Sequence, residues 1–492
     1  MVWKQGVMSA PNPNCPGCVG LLAQIAALTA QVAQLQAAVT QLQARLNQNS
    51  RNSSRPPSAD GPQHRPPPPK PQPGGRQRGG QPGHPGHPRP LKPEKEVDFL
   101  VPLVPVVCAH CQARLPLAPA PADPAPQRHQ VIDLPPKLLE TTEYQLHART
   151  CAACGKRTWA ALPPEAPAGV VGPALQALCA LLVGHFHLSR RDTQELLVDV
   201  GGENLSLGAL SVLEGRTAQA LAAPYAAVQA AVAAAPAVNA DETSWREGNR
   251  KAWLWTATTP SLSLFRIDPS RSRAAFEQLL PPVAPGARTV TSDRYRVYMH
   301  LRGDEHQLCW SHLIRDFTAL SELKDGGQAT GEAALAVADE LFDHWHAFRA
   351  GEIDRATLQQ RLRPPQARLC RLLRRARDSG HWKGAGLARD LLRHWPSLWT
   401  FARVEGVEPT NNAAERAVRP GVLWRKGSFG NQGAGGRAFV ERLLTVAGSL
   451  RLQGRSVFAY LQAAVRAGRA GEAAPSLLPE QTSPSLALPL AA

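Results

Sequence analysis

A long segment that cannot build a hydrophobic core divides this chain near its N-terminus. Residues 48–95 consist largely of Ser, Pro, Gly, Arg and His, in runs such as PPPPKPQPGG and GGQPGHPGHP. Too little apolar surface is available there to offset the entropy of ordering the backbone. We therefore predict a basic linker over 48–95, with separate folded regions on either side. Its cationic side chains suit a phosphate backbone, and they are Arg51, Arg55, Arg65, Lys70, Arg76 and Arg78.

A regular apolar repeat over residues 20–47 precedes the linker. Spacings of 4 and 3 alternate between its apolar positions, as in an a/d heptad seam, and Gln, Ala and Thr surround that seam. The pattern predicts a short coiled coil and, through it, a homo-oligomer. The alternative is a helix packed on the chain's own body, but the polar flanking sequence offers no such body. The apolar positions are Leu21, Ile25, Leu28, Val32, Leu35, Val39, Leu42 and Leu46.

Length and charge bound the class of protein. With 492 residues the chain is expected to form two to four domains. Its 55 Lys and Arg residues against 39 Asp and Glu leave a net charge of +16, which favours a polyanionic partner such as DNA. We see no signal peptide and no strongly apolar, charge-free stretch of about 18 residues. We therefore expect a cytoplasmic, nucleoid-associated protein without a membrane segment.

Two CxxC pairs give the clearest metal signal, within a domain predicted over 96–165. Cys108 and Cys111 form one pair, and Cys151 and Cys154 form the other. Four thiolates presented by two tight turns match the tetrahedral coordination of a structural Zn²⁺, and such a four-cysteine site leaves no open position for catalysis. The interval of 39 residues between the pairs is longer than usual, yet it contains strand-like runs. We predict a zinc ribbon with a long hairpin; unligated thiols are the alternative. A third pair, Cys15 and Cys18, is isolated.

Residues 166–236 have a helical pattern. A helix, a break at Gly201 and Gly202, an N-cap at Ser206 and a second helix follow one another, which is the layout of a helix-turn-helix. We predict a helical region that binds DNA, although ordinary helical bundles share this layout. Cys179 lies in an apolar helix and is predicted to be a core residue.

The next region alternates strand-like runs with one helix, which predicts a mixed sheet. The predicted strands are APAVNAD, KAWLWTAT, SLSLFRI, ARTVTSD and HQLCW, and SRAAFEQLL is the helix. Asp241 and Asp293 each end an apolar run, so they lie side by side if their strands are neighbours. Glu415 follows Asn412 in NNAAER, where Asn412 is a predicted N-cap and Glu415 a partner in a capping box.

Three carboxylates that converge on one point repel each other unless cations neutralise them. Hard oxygen ligands of this kind suit Mg²⁺ or Mn²⁺, and a pair of such ions supports in-line displacement at phosphorus. Taken singly, each acid is more often a cap or a surface group. Glu242 and Glu408 are the competing candidates for the metal-binding positions.

Several longer motifs carry a resemblance to a known family. They are NSSRPPSADG, GGQPGHPGH, the paired CxxC turns, DETSW, TSDRYRVY, LCWSHLIRDF, TNNAAERAVRP and WRKGSFG. In this order, from about residue 47 to residue 450, the chain resembles the large transposase of the bacterial insertion sequence 66 family. The resemblance implies a DDE transposase with a ribonuclease-H-like catalytic domain, Mg²⁺-dependent cleavage and joining of DNA at terminal repeats, and companion proteins from adjacent reading frames. It assigns Asp241, Asp293 and Glu415 to the three catalytic places.

The fold class predicted in this way is a multidomain α+β protein. The ribonuclease-H-like α/β domain would occupy 237–318 and 401–452, interrupted by a helical insertion over 319–400, because about 120 residues separate Asp293 from Glu415. Residues 453–492 are predicted to be a fraying C-terminal tail.

Further residues are assigned to DNA and to the reaction. His312, in CWSH, is placed where a strand passes into a helix and is a candidate for contact with the scissile phosphate; one Cys and one His do not complete a metal site. Two other functions stay open: a catalytically inactive, zinc-dependent DNA-binding protein that acts as a repressor, and a nuclease that does not join ends. The predicted phosphate contacts are Arg315, Arg416, Arg419, Arg425 and Lys426.

Overall fold

The computed structural model describes most of the chain beyond the linker, and its contacts divide the chain into two units. The described residues are 16–49, 53–55, 90–116, 118, 121, 124–135, 137–154, 156–163, 166, 169–323, 327–379 and 382–479. The larger unit comprises Met1–His64, Gln145–Val198 and Asn204–Ala492, and the smaller one comprises Arg65–Tyr144 and Asp199–Glu203. Most of the predicted basic linker, including Arg51, Arg65, Lys70, Arg76 and Arg78, lies outside the described residues.

Helices dominate the described residues. The α-helices are α1 Pro16–Leu46, α2 Pro173–Gly184, α3 Arg190–Gly201, α4 Leu207–Ala220, α5 Ala222–Ala234, α6 Arg273–Leu279, α7 Trp310–Ser321, α8 Gln328–Arg349, α9 Arg355–Asp378, α10 Trp382–Arg393, α11 Thr400–Arg403, α12 Asn412–Ser428, α13 Gly433–Leu452 and α14 Val457–Ala470. Short 3-10 helices cover Glu94–Glu96, Gly303–Glu305 and Trp395–Leu398. The strands are β1 Ala148–Thr150, β2 Arg157–Trp159, β3 Ala237–Glu247, β4 Arg250–Thr258, β5 Ser263–Asp268, β6 Thr289–Ser292 and β7 His306–Leu308.

Helix α1 confirms the helical part of the prediction for residues 20–47. All eight heptad positions are exposed, with relative exposures between 51% and 82%. The span Gly20–Gln43 bears on the expectation that the chain has no apolar stretch of about 18 residues. Its 24 residues are, on average, apolar enough to cross a membrane by length and composition alone. Six of those residues are glutamines. An amide-rich, heptad-spaced stripe is typical of a coiled coil, and pairing through it stays a prediction.

The five-stranded sheet has the order β5-β4-β3-β6-β7. Strands β3, β4 and β5 form an antiparallel meander, whereas β6 pairs parallel with β3 and β7 pairs parallel with β6. The predicted strands and the helix α6 are therefore confirmed. One detail was wrong: β3 does not end at Asp241 but continues to Glu247, because its pairing with β4 extends from Asn239 to Glu247 while its pairing with β6 stops at Asn239.

Side chains of α13 protect the outer edge of the sheet. The backbone N–H groups of Ser263, Phe265 and Ile267 in β5 donate to Ser449 Oγ at 3.0 Å, Thr445 Oγ1 at 3.0 Å and Glu441 Oε1 at 2.7 Å. The three acceptors stand four residues apart on one helix face, and the three donors alternate along the strand. An edge strand otherwise presents unpaired groups that invite aggregation, so this ladder closes the sheet without another strand.

The main core lies between this sheet and its helices. Trp245, Leu254, Trp255 and Phe265 are almost fully buried, and Leu443 of α13 packs in the same cluster. Helices α2 and α4 pack against α13 and α14, so the region predicted as separate over 166–236 shares the core of the sheet. The residues of its predicted helix-turn-helix do form α3 and α4. Two further predictions for residues 166–236 are confirmed. Ser206 caps α4, since its Oγ accepts from Ala209 N at 3.1 Å, and Cys179 of α2 is buried.

The C-terminal region differs from its prediction. Residues 453–492 were expected to fray, but α14 packs in the main core with Leu461 fully buried and Leu477 only 1% exposed. Four apolar positions at helical spacing, Val457, Leu461, Ala464 and Val465, outweigh the Ala-, Pro- and Ser-rich composition. Residues 480–492 lie outside the described part of the chain.

A second core holds the predicted helical insertion. Helices α7 to α11 pack around Trp310, Phe317, Leu341, Leu369 and Trp399. The residues of the predicted insertion are helical, and the predicted passage from strand to helix at CWSH is confirmed, because β7 ends at Leu308 and α7 starts at Trp310. Helix α7 begins before the predicted boundary at residue 319 but packs in this second core, and its first turn lies directly after β7.

Candidate active site

The three predicted acids belong to three elements that meet at the end of β6. Asp241 lies in β3, Asp293 directly follows β6, and Glu415 lies in the first turn of α12. Strands β3 and β6 are parallel, and Asn239 pairs with Thr291. Asp241 and Asp293 each lie two residues beyond this pair, so they stand at the same level along the two chains. Because β6 has ended there, this side of β3 is open at Asp241 and leaves room for other groups.

Burial and neighbouring acids both act on the carboxylate of Asp241. The pKa of Asp241 is raised well above its ordinary value of 3.8, first by burial and then by repulsion from Glu242, Asp293 and Glu415. Removing carboxylates from water and placing them together both disfavour their charged forms. A divalent cation among them would relieve this repulsion, and an all-oxygen donor set fits Mg²⁺ or Mn²⁺.

The competing acid Glu242 is held by other partners. Its side chain is only 1% exposed, Tyr298 Oη donates to its Oε2, and Arg271 Nη2 lies 2.5 Å from its Oε1. The guanidinium of Arg271 stacks 3.6 Å from the centre of the Tyr295 ring. Burial raises the pKa of Glu242, while the hydrogen bond from Tyr298 and the charge of Arg271 oppose that rise. A carboxylate bound in this way serves the core rather than a metal ion.

Glu408, the second competing acid, also has a partner. It forms an ion pair with Arg349 of α8. Both alternatives to the predicted trio are therefore engaged in pairs elsewhere in the described structure.

Asn411, rather than Asn412, precedes helix α12, and its side chain does not cap it. The predicted capping box is therefore wrong: no side chain caps the start of α12. Asn411 is 1% exposed, and its Nδ2 donates to Ala240 O at 2.8 Å while its Oδ1 accepts from Asn239 Nδ2 at 3.1 Å. Its carbonyl accepts from Glu415 N at 3.1 Å. One amide thus ties the backbone beside Asp241 to the turn that carries Glu415.

Close packing positions α12 further along its length. A Cβ atom added at Gly421 would lie 2.3 Å from Leu254 Cδ2 of β4. A larger residue would require the buried Leu254 side chain to move, so glycine favours the close packing of α12 against β4.

His312 lies beside Glu415, as a reactive role would require. Its Nδ1 is 3.5 Å from Glu415 Oε1. Burial lowers the pKa of His312 and Arg315 lowers it further, while Glu415 and Asp293 act in the opposite direction. One Cys and one His do not by themselves complete a metal site, as predicted, but a third possible donor lies beside them. Glu415 adds a third donor, and the ligand atoms of Cys309, His312 and Glu415 all lie within 4.8 Å of one another.

The cations predicted to contact DNA are distributed along α7 and α12. Arg416, Arg419 and Lys426 are exposed, and Arg315 is half-buried near His312. Arg425 is different, because it is half-buried and its Nη1 donates to Ser244 Oγ of β3 at 2.8 Å. Arg425 therefore has a structural contact in addition to its predicted one.

Each CxxC pair forms the turn of a small hairpin. In the smaller unit, Cys108 N donates to Ala113 O at 2.9 Å, and Val107 and Arg114 form a bridge. In the larger unit, Cys151 N donates to Lys156 O at 2.9 Å, at the end of the β1–β2 pair. In both turns, the backbone N–H groups of the second cysteine and of the residue before it lower the pKa of the first cysteine. A lowered thiol pKa favours the thiolate that binds zinc.

We expect Asn411→Ala to destabilise the protein by about 1–3 kcal/mol, since it leaves buried partners without hydrogen bonds. The matched control is Asn412→Ala, because Asn412 is exposed and is expected to change stability by less than about 0.5 kcal/mol. Urea unfolding of both variants measures the difference. Equal destabilisation by the two changes would contradict the role given to Asn411.

We expect Asp241→Asn to stabilise the protein at pH 7 without divalent cations, by about 1 kcal/mol. The pKa of Asp241 is raised in the folded state. The protonated carboxyl therefore contributes to stability below pH 3.8, and this contribution is lost as the pH rises through the folded-state pKa. A neutral amide avoids that loss. The advantage should shrink towards pH 4, and Mg²⁺ should stabilise the parent more than the variant. Thermal melts across this pH range test this, and a variant that melts below the parent at pH 7 would refute it.

Comparison with known proteins identifies the family. The model of the Transposase IS66 family matches residues 168–438, and a family of unknown function (DUF6444) matches residues 10–90. No curated protein matches the chain. The first match spans more than half of the 492 residues and contains β3, β6 and α12 with all three predicted acids. This chain belongs to the IS66 family of transposases.

Proposed function

We propose that this protein is a DDE transposase that binds the terminal inverted repeats of its insertion sequence, cleaves DNA there and joins the ends to a target. The observation that carries the proposal is the convergence of three elements: Asp241 lies on β3 two residues beyond its last pair with β6, Asp293 directly follows β6, and Glu415 lies in the first turn of α12, whose preceding residue Asn411 donates to Ala240 O. The raised pKa of Asp241, caused first by burial and then by neighbouring acids, agrees with this arrangement. Stability alone gives no reason for such an arrangement, because it is repulsive.

The sheet supports a ribonuclease-H-like catalytic domain, as the family resemblance implies. Strands β3, β4 and β5 form an antiparallel meander, and β6 and β7 lie parallel to β3. Asp241 lies on the central strand β3, Asp293 directly follows β6, and Glu415 lies on the later helix α12. The helical insertion lies between Asp293 and Glu415, as that resemblance also implies.

Asp241, Asp293 and Glu415 are the residues that would hold Mg²⁺ or Mn²⁺. When bound, such cations activate a nucleophile and stabilise the leaving oxygen of an in-line displacement. In the first step water attacks the scissile phosphorus and the bond from phosphorus to the 3′ oxygen breaks, which frees a 3′-hydroxyl. In the second step that hydroxyl attacks a target phosphorus and displaces its 3′ oxygen. The protein's part is to fix the carboxylates and to bind both DNA strands beside them.

Basic side chains beside Glu415 provide the DNA contacts in this proposal. Arg416, Arg419 and Lys426 are exposed on α12, and the chain carries a net charge of +16. Contacts of this kind add affinity and orientation rather than sequence choice. Helices α3 and α4 are the candidates for reading the repeats, and the exposed heptad stripe of α1 is the candidate surface for pairing with a second copy. Companion proteins from adjacent reading frames would complete the transposition complex.

A structural Zn²⁺ held by Cys108, Cys111, Cys151 and Cys154 belongs to the same proposal. Each pair is already folded as a tight turn in which N–H groups stabilise the first thiolate. Such preorganised turns are what a four-cysteine zinc site requires of its two halves.

Replacing the acids separates catalysis from binding. We expect Asp241→Asn, Asp293→Asn and Glu415→Gln each to slow Mg²⁺-dependent cleavage of repeat DNA at least a hundredfold. Bound metal ions stabilise the transition state by several kcal/mol, and each variant loses a carboxylate that would hold them. Affinity for the repeat should change little. Glu405→Gln is the control, since Glu405 is an exposed acid ten residues before Glu415 in sequence. The assay follows 3′-end-labelled DNA, with binding measured in parallel.

The same assay distinguishes the alternatives. A parent protein that binds the repeats but never cuts them is a repressor, and one that cuts without forming joined products is a nuclease. If the Asp241→Asn protein cuts as fast as the parent, the proposed active site is wrong.

Zinc analysis tests the CxxC turns. We expect Cys108→Ser and Cys151→Ser each to lose the same single equivalent of tightly held zinc, and the double variant to lose no more, because one ion needs both turns. Cys370→Ser, in α9, is the control and should keep its zinc. Metal analysis after dialysis against a weak chelator gives the count. Independent losses that add up in the double variant would indicate two separate sites.

A further inference from the structure

A second donor group shares Glu415 with the acid trio. Cys309 precedes α7, His312 lies in its first turn and Glu415 lies in the first turn of α12, with their ligand atoms all within 4.8 Å of one another. We infer that Cys309, His312 and Glu415 form a binding site for a thiophilic divalent cation such as Zn²⁺, and that a cation there withdraws Glu415 from the catalytic metal ions. The regulatory half of this inference rests on the proposed function; the binding site itself does not.

Unsatisfied atoms at this place point to a ligand. His312 Nδ1 and Glu415 Oε1 are buried and lie 3.5 Å apart, yet neither has a hydrogen-bond partner among the residues that the structure describes. Buried polar atoms without partners are rare in folded proteins and call for an explanation. A cation bound between the two atoms would satisfy both, as would a bridging water; the sulfur of Cys309 within 4.8 Å of both atoms favours the cation, because a thiol is a weak partner for water and a strong metal ligand.

The spacing of the donors fits tetrahedral coordination. Two ligands about 2.0–2.1 Å from a zinc ion, at a tetrahedral angle, lie about 3.4 Å from each other. The separation of 3.5 Å between Nδ1 and Oε1 matches this edge. The sulfur of Cys309 lies within 4.8 Å of both ligand atoms, so a small side-chain movement completes a three-ligand site with one open position.

The types of donor atom decide which metal this site selects. A thiolate, an imidazole and a carboxylate together favour Zn²⁺ over Mg²⁺, which prefers oxygen ligands and holds several waters. The trio of Asp241, Asp293 and Glu415 is composed of oxygen donors alone. Two sites of opposite preference therefore meet at Glu415.

Backbone contacts hold the two helix starts together, so the donors are preorganised. Trp310 N donates to Pro409 O at 2.9 Å, and Asn411 N donates to Cys309 Sγ at 3.1 Å. Ser311 Oγ lies 3.2 Å from Asn412 Oδ1. The hydrogen bond from Asn411 to the sulfur is the kind of outer contact that orients a metal ligand.

A consequence follows for activity. A cation bound to Glu415 Oε1, Cys309 and His312 holds that carboxylate at the start of α7, withdraws part of its negative charge and repels a second cation, so it weakens the coordination of Mg²⁺ at Asp241 and Asp293. Zinc is therefore expected to inhibit Mg²⁺-dependent cleavage at concentrations far below those of Mg²⁺, and the inhibition should depend on the thiol.

Cobalt titration tests the site without reference to activity. Co²⁺ is added to the full-length protein whose CxxC turns already hold zinc, and a thiolate-to-cobalt absorption band is followed. We expect one equivalent to give the band in the parent, and we expect Cys309→Ser to lose the band and His312→Ala to weaken Co²⁺ binding at least tenfold. Cys370→Ser and Asp241→Asn are matched controls and should keep the band. Circular dichroism verifies that each variant is folded.

The outcomes are distinct for the two proposals. A band that persists at full strength in folded Cys309→Ser overturns the metal site, whatever the activity. If the band behaves as expected but Asp241→Asn still cleaves DNA, the metal site stands and the proposed function fails. In active parent protein, zinc at a level that inhibits at least tenfold should leave Cys309→Ser uninhibited; equal inhibition of both overturns the regulatory role of Glu415.

Discussion

Burial of the Asp241 carboxylate beside other acids is the constraint on which the centre of this structure depends. Asp241 is disfavoured as an anion by its burial and by three neighbouring acids, and nothing among its described contacts neutralises it. The surrounding structure must therefore hold these groups together against their own electrostatics. Such local destabilisation is typical of sites that bind cations or catalyse reactions, because stability is not what they are selected for.

Two devices hold the acids in place. The side chain of Asn411 connects the backbone of Ala240 and the side chain of Asn239 to the start of α12. The glycine at position 421 then favours the close packing of α12 against Leu254 of the sheet. At the far edge, the ladder from α13 to β5 keeps the sheet closed, so the central strand has a rigid support on one side and an open end for the acids on the other.

The proposed catalytic and zinc sites share one residue, which gives the site two metal preferences. Oxygen ligands from β3 and from the end of β6 would share Glu415 with a thiol and an imidazole from the start of α7. A carboxylate can bridge two cations, but a zinc ion held by Glu415 Oε1 would leave only Oε2 for the other ions and would add positive charge beside them. The chemistry of the cation present would then decide whether the site is competent.

Strands, helices and hairpin turns were largely accessible from the sequence because their signals are local. Alternating apolar residues identified β3 to β7, the Gly201–Gly202 break and Ser206 separated α3 from α4, and the CxxC pairs marked tight turns. The errors arose where a local signal had a competing partner. Asparagine is a common N-cap residue, but α12 is preceded by Asn411, whose side chain bonds to the backbone of β3 instead. The Ala-rich tail contains α14, which packs in the main core.

The sequence by itself determined the family, the order of the elements and the three acids, because motifs and periodicity depend only on neighbours along the chain. Tertiary structure decided which groups meet. The parallel register of β3 and β6 placed Asp241 level with Asp293, and the junction of α7 with α12 brought Cys309 and His312 to Glu415. It also removed Glu242 from consideration by engaging it with Tyr298 and Arg271. Contacts between residues more than 50 positions apart depend on how the elements pack, and packing is a property of the whole fold rather than of any segment.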